Sequence, residues 1–396
     1  MALSRPSDRP TRPDLTARDF LLIAGLPLAL LLLTHVLVAQ RSVTGESRWL
    51  SLSPDTGEYV KMISGLPASP PFAYRRLVPL LASFLPLPPV RALWVITQTS
   101  LLAGYSLLMW MLIAIVRVRR MAACLAVIAF MTSTRTLLIV QNPFLLDAFS
   151  FFMMTVMLAA FLADKAAVFG LATMIGVLAR EDCLFGAFGF LAARRRLASL
   201  VVVFAAVAAY VLSRWRPPAH ESAFLGFRAA MHASFYAKAF FAYGFVWLLP
   251  FLGLWIARTS DDRRLTPYFA CTLGGSILSA FFAVDTTRVF LPILPVAVVA
   301  AAIVFDRLSG SPIILGVWPV VMLANLGIAL PNALFPGSGE HLKELEDWYV
   351  RLAVPVVIQQ LVGLLLVIES ARRIARQRIQ PPRPATEEGS RIAILG

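Results

Sequence analysis

The chain has 396 residues, of which 59% are hydrophobic and only 15% charged, with a mean hydropathy of +0.76. A soluble domain carries about a quarter charged residues, so this composition excludes an ordinary water-soluble enzyme and predicts that lipid is part of the solvent. The net charge of +14 and pI near 10.5 would suit a nucleic-acid binder. Here, however, the cations sit in short clusters between apolar runs, the usual topology signal, and no nucleic-acid partner is expected.

In chain order, residues 1–19 are polar and basic, and an apolar run follows from Phe20 to Ala39. It is long enough to cross a bilayer and too long for a signal-peptide core, so it reads as a retained first helix. Further apolar runs fall near 92–116, 121–134, 144–163, 166–178, 183–193, 197–213, 239–257, 266–284, 289–305, 311–330 and 353–369. The expectation is an all-α, polytopic transmembrane bundle of about ten to twelve spans. Three runs, 121–134, 166–178 and 183–193, are too short to cross unaided and predict short or broken helices around an interior site. No internal repeat or heptad array is visible.

Charge sets the orientation. With the N-terminus inside, the inner segments are 1–19, 117–120, 164–165, 194–196, 258–265, 306–310 and 370–396, and they hold more than half of the 36 lysines and arginines. Both termini are then cytoplasmic, and the location is the inner (plasma) membrane. The map divides the chain into an N-terminal tail (1–19), the bundle (20–369) with outer loops 41–91, 214–238 and 331–352, and a basic tail (370–396) that reads as disordered. Joining 166–193 into one span would flip Arg194–Arg196 outward, so two short helices are expected there. Glu340–Arg351 reads as a helix on the membrane surface.

Polar groups at membrane depth are expensive and tend to be functional, and on this map they share the outer face. In SPDTGEYVK, Asp55 and Glu58 are three apart, with Tyr59 one turn after Asp55. A helix starting there places both carboxylates on one side, fit to share a proton or a cation or to supply a general base; helix capping by Asp55 is the plainer alternative. In PPFAYRRLVP, Arg75 and Arg76 offer guanidinium forks to an oxyanion, or with Tyr74 simply anchor the chain at the interface. Arg135, Asn142 and Asp147 flank an apolar run in which a lone carboxylate needs a partner. Arg180, Glu181 and Asp182 fall at the break between two short runs and cannot face lipid. Asp285 and Arg288 lie between two later spans, where Asp285 could also cap a helix. Three cysteines and four scattered histidines have neither disulfide nor zinc spacing.

SPDTGEYVKMISG followed by PPFAYRRLVPLLA resembles the first outer loop of polytopic bacterial proteins of the GT-C glycosyltransferase superfamily, and NPFLLDAFSFFMM, VLAREDCLF and DTTRVFLPILP are similar to later positions in such proteins. The resemblance touches residues from about 20 to 300. It implies a GT-C-like fold and transfer of a sugar from a polyprenyl-phosphate donor on the extracytoplasmic side, with no nucleotide cofactor. It implies that Asp55 is base or metal ligand, with Glu58 its helper, so a divalent cation is the cofactor to look for. Arg75, Arg76, Arg180 or Arg288 would hold the donor phosphate. The loop departs from the family in having Asp-x-x-Glu rather than adjacent acids. A transporter or flippase of a lipid-linked or anionic substrate is the alternative; it should bury its charges near mid-membrane and show repeat symmetry. A non-catalytic scaffold would leave Asp147 and the 180–182 cluster without a reason.

Overall fold

The computed structural model describes residues 15–39, 54–69, 72–133, 136, 139, 146–194, 197–213, 244–257, 261–280, 288–308, 316–320, 322 and 342–379. Among these the secondary structure is all helical. The first rod joins the turns Ala17–Phe20 and Leu21–Gly25 to α1, Leu26–Ala39. It starts three residues before the apolar run because Thr16 and Asp19 form a reciprocal capping box. Two short helices follow, α2 (Pro54–Ile63) and α3 (Leu77–Ser83). Next come α4 (Pro89–Trp110), α5 (Arg120–Met131), α6 (Asp147–Leu162), α7 (Ala166–Ala179), α8 (Leu184–Arg194), α9 (Leu197–Ser213), α10 (Leu248–Ala257), α11 (Leu265–Ala280), α12 (Leu294–Arg307) and α13 (Leu342–Ile379).

The segments 166–178 and 183–193 form the two short helices expected, α7 and α8, joined at 180–183. They run antiparallel: Phe169 near the start of α7 stacks on Phe190 near the end of α8, with centroids 4.2 Å apart. At the joint, a Cβ on Gly176 would lie 2.8 Å from the Cys183 sulfur, so only glycine lets the chain double back this tightly. The C-terminal region differs from expectation. Instead of a surface helix, a span and an unstructured tail, one 38-residue helix runs through 342–379 and takes in the first ten residues of segment 370–396.

At the centre lies α12. Val298, Val299, Ala300, Ala301 and Ala302 have no exposed surface, and the helix packs against α10, α5, α6 and α4. A helix apolar on every side belongs inside. A Cβ at Gly253 of α10 would collide with the Ala300 carbonyl, so glycine sets the closeness of that crossing.

Outward faces are apolar. Leu171 and Met174 on α7, Val201, Phe204 and Leu212 on α9, and Leu361 and Leu365 on α13 are all exposed. Among the described residues two helices, Ala17–Val36 and Pro89–Val116, are long and apolar enough to cross a membrane. Five shorter apolar helices accompany them, at Arg120–Met131, Asp147–Leu162, Ala166–Ala179, Leu197–Leu212 and Phe245–Ala257.

The helices have two distinct ends. At one, Tyr59, Val78, Ala82, Ala92, Leu93, Leu146 and Ala179 form a small cluster of their own. It ties α2 and α3 to the starts of α4 and α6 and the close of α7. At the other end, Arg120 binds Asp19 at 2.5 and 2.9 Å, the Arg119 N–H donates to Asp306 at 2.8 Å, and Arg194 and Arg264 both reach Asp164. Gly253→Ala should cost about 1–3 kcal/mol through overpacking against Ala300, read as a lowered melting temperature of the detergent-solubilised protein.

Candidate functional site

The site is built on the cluster-bearing end. Asp147 is the first residue of α6 and Arg180 directly follows the last residue of α7. Each charge thus sits where its helix dipole favours it, a carboxylate at an N-terminus and a guanidinium at a C-terminus. Arg180 takes an extended conformation (φ −159°, ψ 134°) that stops α7, and Glu181–Cys183 then form a single 3-10 turn. The Arg180 guanidinium ion-pairs with Asp147 and, through Nε at 2.8 Å, with Asp182. All three are buried. An ion stripped of water this completely persists only with partners, and here each charge has one.

Arg75, from the stretch before α3, reaches the same joint. Its Nε and Nη2 donate to the two Glu181 oxygens at 3.1 and 2.5 Å, a bidentate fork between residues 106 apart in sequence. Burial pushes the Glu181 carboxyl up, but the Arg75 guanidinium outweighs it, with help from Arg180, and holds that carboxyl below its usual range. The Tyr59 hydroxyl lies beside Arg75 and also favours its cation. Tyr59 is buried, its ring meeting Phe72 edge-on at 5.6 Å.

The remaining candidates divide. Asp55, whose backbone alone is described, is the second residue of α2 and lies one turn before Tyr59 on the same stripe. Glu58 is engaged elsewhere, accepting from Lys61 Nζ and from the Ser69 N–H, both at 2.6 Å. That latches the end of α2 to the following loop, and the Lys61 contact chiefly holds the Glu58 carboxyl below its usual range. Arg76 is exposed and donates from Nε to the Ala73 carbonyl at 3.0 Å. Tyr74 closes the 72–74 turn, half-buried. Arg288 opens the turn Arg288–Ile293, whose backbone packs against the 181–183 turn and against α6. Arg135, Asn142 and Asp285 lie outside the described residues.

Sequence reasoning passed over two features. Thr56, three residues before Tyr59, is fully buried and its hydroxyl has no hydrogen-bond partner; a polar residue on the buried stripe of a short amphipathic helix was the available signal. His35 Nε2 and Gln98 Oε1 lie 3.0 Å apart, although each looks isolated within its own apolar run. Among the described residues no group of three His, Cys, Asp or Glu gathers as a metal site.

Protein-family models, curated proteins and solved structures offer no match to this chain. The arrangement is therefore read on its chemistry. Two guanidinium groups are fixed by three carboxylates at a helix joint, and Tyr59 of the short helix α2 lies beside one of them, Arg75. Such a set can orient oxyanions and hydroxyls without reorganising.

Removing Arg180 leaves Asp147 and Asp182 buried and uncompensated, so Arg180→Ala should cost about 3–5 kcal/mol. Replacing the triad together (Arg180→Met, Asp147→Leu, Asp182→Leu) should recover most of that in thermal melts. Because its folded pKa is depressed, Glu181 contributes stability above the ordinary glutamate value of about 4.3, and this is lost as pH falls through its lower folded value. Glu181→Gln should therefore lower the melting temperature at neutral pH and flatten its decline in acid.

Proposed function

We propose that this chain is a multi-pass membrane protein of the inner membrane, both termini cytoplasmic, and that it transfers a sugar from a polyprenyl-phosphate donor on the extracytoplasmic face in the manner of a GT-C glycosyltransferase. The observation that carries the reading is the meeting of Arg75 with Glu181 and of Arg180 with Asp147 and Asp182 at one end of the helices.

The membrane part rests on the exposed aliphatic residues of α7, α9 and α13, since soluble monomers rarely expose large contiguous apolar patches. The orientation is supported by the opposite end. There, residues of the segments assigned to the inside (1–19, 117–120, 164–165, 194–196, 258–265 and 306–310) pair with one another through Asp19, Arg119, Arg120, Asp164, Arg194, Arg264 and Asp306. Enzyme is favoured over transporter by depth. Asp147 starts its helix and Arg180 follows the end of its own, so the charges gather at a face and not mid-span.

In the proposed reaction an acceptor hydroxyl attacks the anomeric carbon of the lipid-linked sugar. The new glycosidic C–O bond forms as the bond from the anomeric carbon to the phosphate oxygen breaks. The electron pair leaves with the polyprenyl phosphate, and the hydroxyl proton passes to the Asp55 carboxylate. Arg75 and Arg180, already oriented by their carboxylates, stabilise the charge growing on the departing phosphate, with Arg76 and Arg288 as further candidates for the same task. A divalent cation at Asp55 would share that role.

The decisive assay offers a panel of polyprenyl-phosphate sugars to the purified protein. Transfer is expected from the wild type, with a loss of roughly a hundredfold or more in Asp55→Asn at unchanged melting temperature. Undiminished transfer by the variant would remove Asp55 from the mechanism, and no transfer from any donor would favour transport. Reporter fusions at positions 55 and 180 should report the same, extracytoplasmic side.

A further inference from the structure

The end of α13 carries a surface that the proposed transfer does not use. At about 1.5 Å per residue its 38 residues run to roughly 57 Å, while the hydrocarbon of a bilayer is about 30 Å thick. The helix is therefore far longer than a crossing needs, and Arg372, Arg373 and Arg376 lie in its last turns. On a disordered tail these arginines would have no fixed places; on a helix each has one.

Burial divides α13 into two faces. Gln359, Gly363, Val367, Ser370 and Ile374 recur every three or four residues and are buried. A Cβ on Gly363 would collide with the Phe245 ring, and the Phe245 N–H donates to Gln360 Oε1 at 2.8 Å, so the rotation of the helix about its own axis is set. The opposite stripe is exposed and aliphatic, through Val357, Leu361, Leu365 and Ile368. At about 3.6 residues per turn, Arg372 and Arg376 continue that same stripe, and both are exposed. Arg373 stands at its edge, its Nε 2.8 Å from Glu369 one turn back.

One outward face thus changes within a turn from aliphatic at Ile368 to guanidinium at Arg372. On the proposed membrane reading the neighbour of the aliphatic part is lipid. The neighbour of the arginines is then the headgroup layer of the same leaflet. Three cations against one acid complement a headgroup of net negative charge, and guanidinium forks fit phosphate oxygens. A choline headgroup cancels the charge of its own phosphate and offers less.

We infer that this basic face of α13 docks the headgroups of anionic phospholipids, with Arg372 and Arg376 taking the phosphate and Glu369 holding Arg373 until a headgroup displaces it. The inference rests on the membrane reading proposed above and goes beyond it, since it assigns a lipid preference to named residues. It shares no residue with the Arg180 joint.

The test reconstitutes the full-length protein into phosphatidylcholine nanodiscs containing a minor share of phosphatidylglycerol and counts the retained lipids by native mass spectrometry. Phosphatidylglycerol is expected to be retained over phosphatidylcholine. The double variant Arg372→Gln, Arg376→Gln should reduce that retention roughly tenfold. Glu369→Gln should raise it several-fold by releasing Arg373, a gain that a folding defect cannot imitate. These side chains are at the surface, so the melting temperature should stay unchanged. No preference for phosphatidylglycerol, or an undiminished preference in the double variant, would overturn the inference. So would inorganic phosphate binding the same arginines equally well in nanodiscs of phosphatidylcholine alone, since the ligand would then be a free anion. A chain that does not enter nanodiscs at all would overturn the membrane reading and this inference with it.

Discussion

Arg180 between Asp147 and Asp182 is the interaction on which this architecture turns. A charge buried away from water is tolerable only with a partner, and the partners come from the start of α6 and from the turn leading into α8. Making that contact requires α7 to stop at Ala179, the chain to double back over Gly176, and the start of α6 to lie beside the joint. Glu181 is then turned toward Arg75, which draws the stretch before α3 onto the same spot. Three remote parts of the chain are thus fastened at one end of the bundle by electrostatics, while their helices are held along their lengths by apolar packing.

The packing puts small side chains at the centre and leaves large apolar ones exposed. The centre is an alanine- and valine-rich rod, α12, against which α5 and α10 lie close because their contacting residues are small. The outside keeps large aliphatic and aromatic side chains. The hydrophobic effect cannot sort helices whose outer faces are as apolar as their inner ones. Close approach at small residues and polar contacts at the ends decide which helices are neighbours.

The two ends are made differently. At one, acids outnumber guanidinium groups among the described side chains of the joint, three carboxylates to two arginines. At the other, Arg120 takes Asp19, the Arg119 N–H takes Asp306, and Arg194 and Arg264 share the exposed Asp164.

Much of this was legible from composition and charge. Apolar content announced an all-helical chain, which the described residues bear out. The break at Arg180-Glu181-Asp182 was plain because three successive charges interrupt two apolar runs. The short runs around it emerged as α7 and α8, since helix length depends on local sequence. The pairing was not legible. Nothing in sequence spacing says that Arg75 takes Glu181, that Arg180 takes Asp147, or that Glu58 is spent on Lys61 and the Ser69 N–H. By itself the sequence determined the all-helical class and where several helices stop, because those follow from local hydropathy and backbone chemistry. Only the tertiary structure decided which charges meet, because a buried ion's partner is chosen by the packing of whole helices and not by distance along the chain.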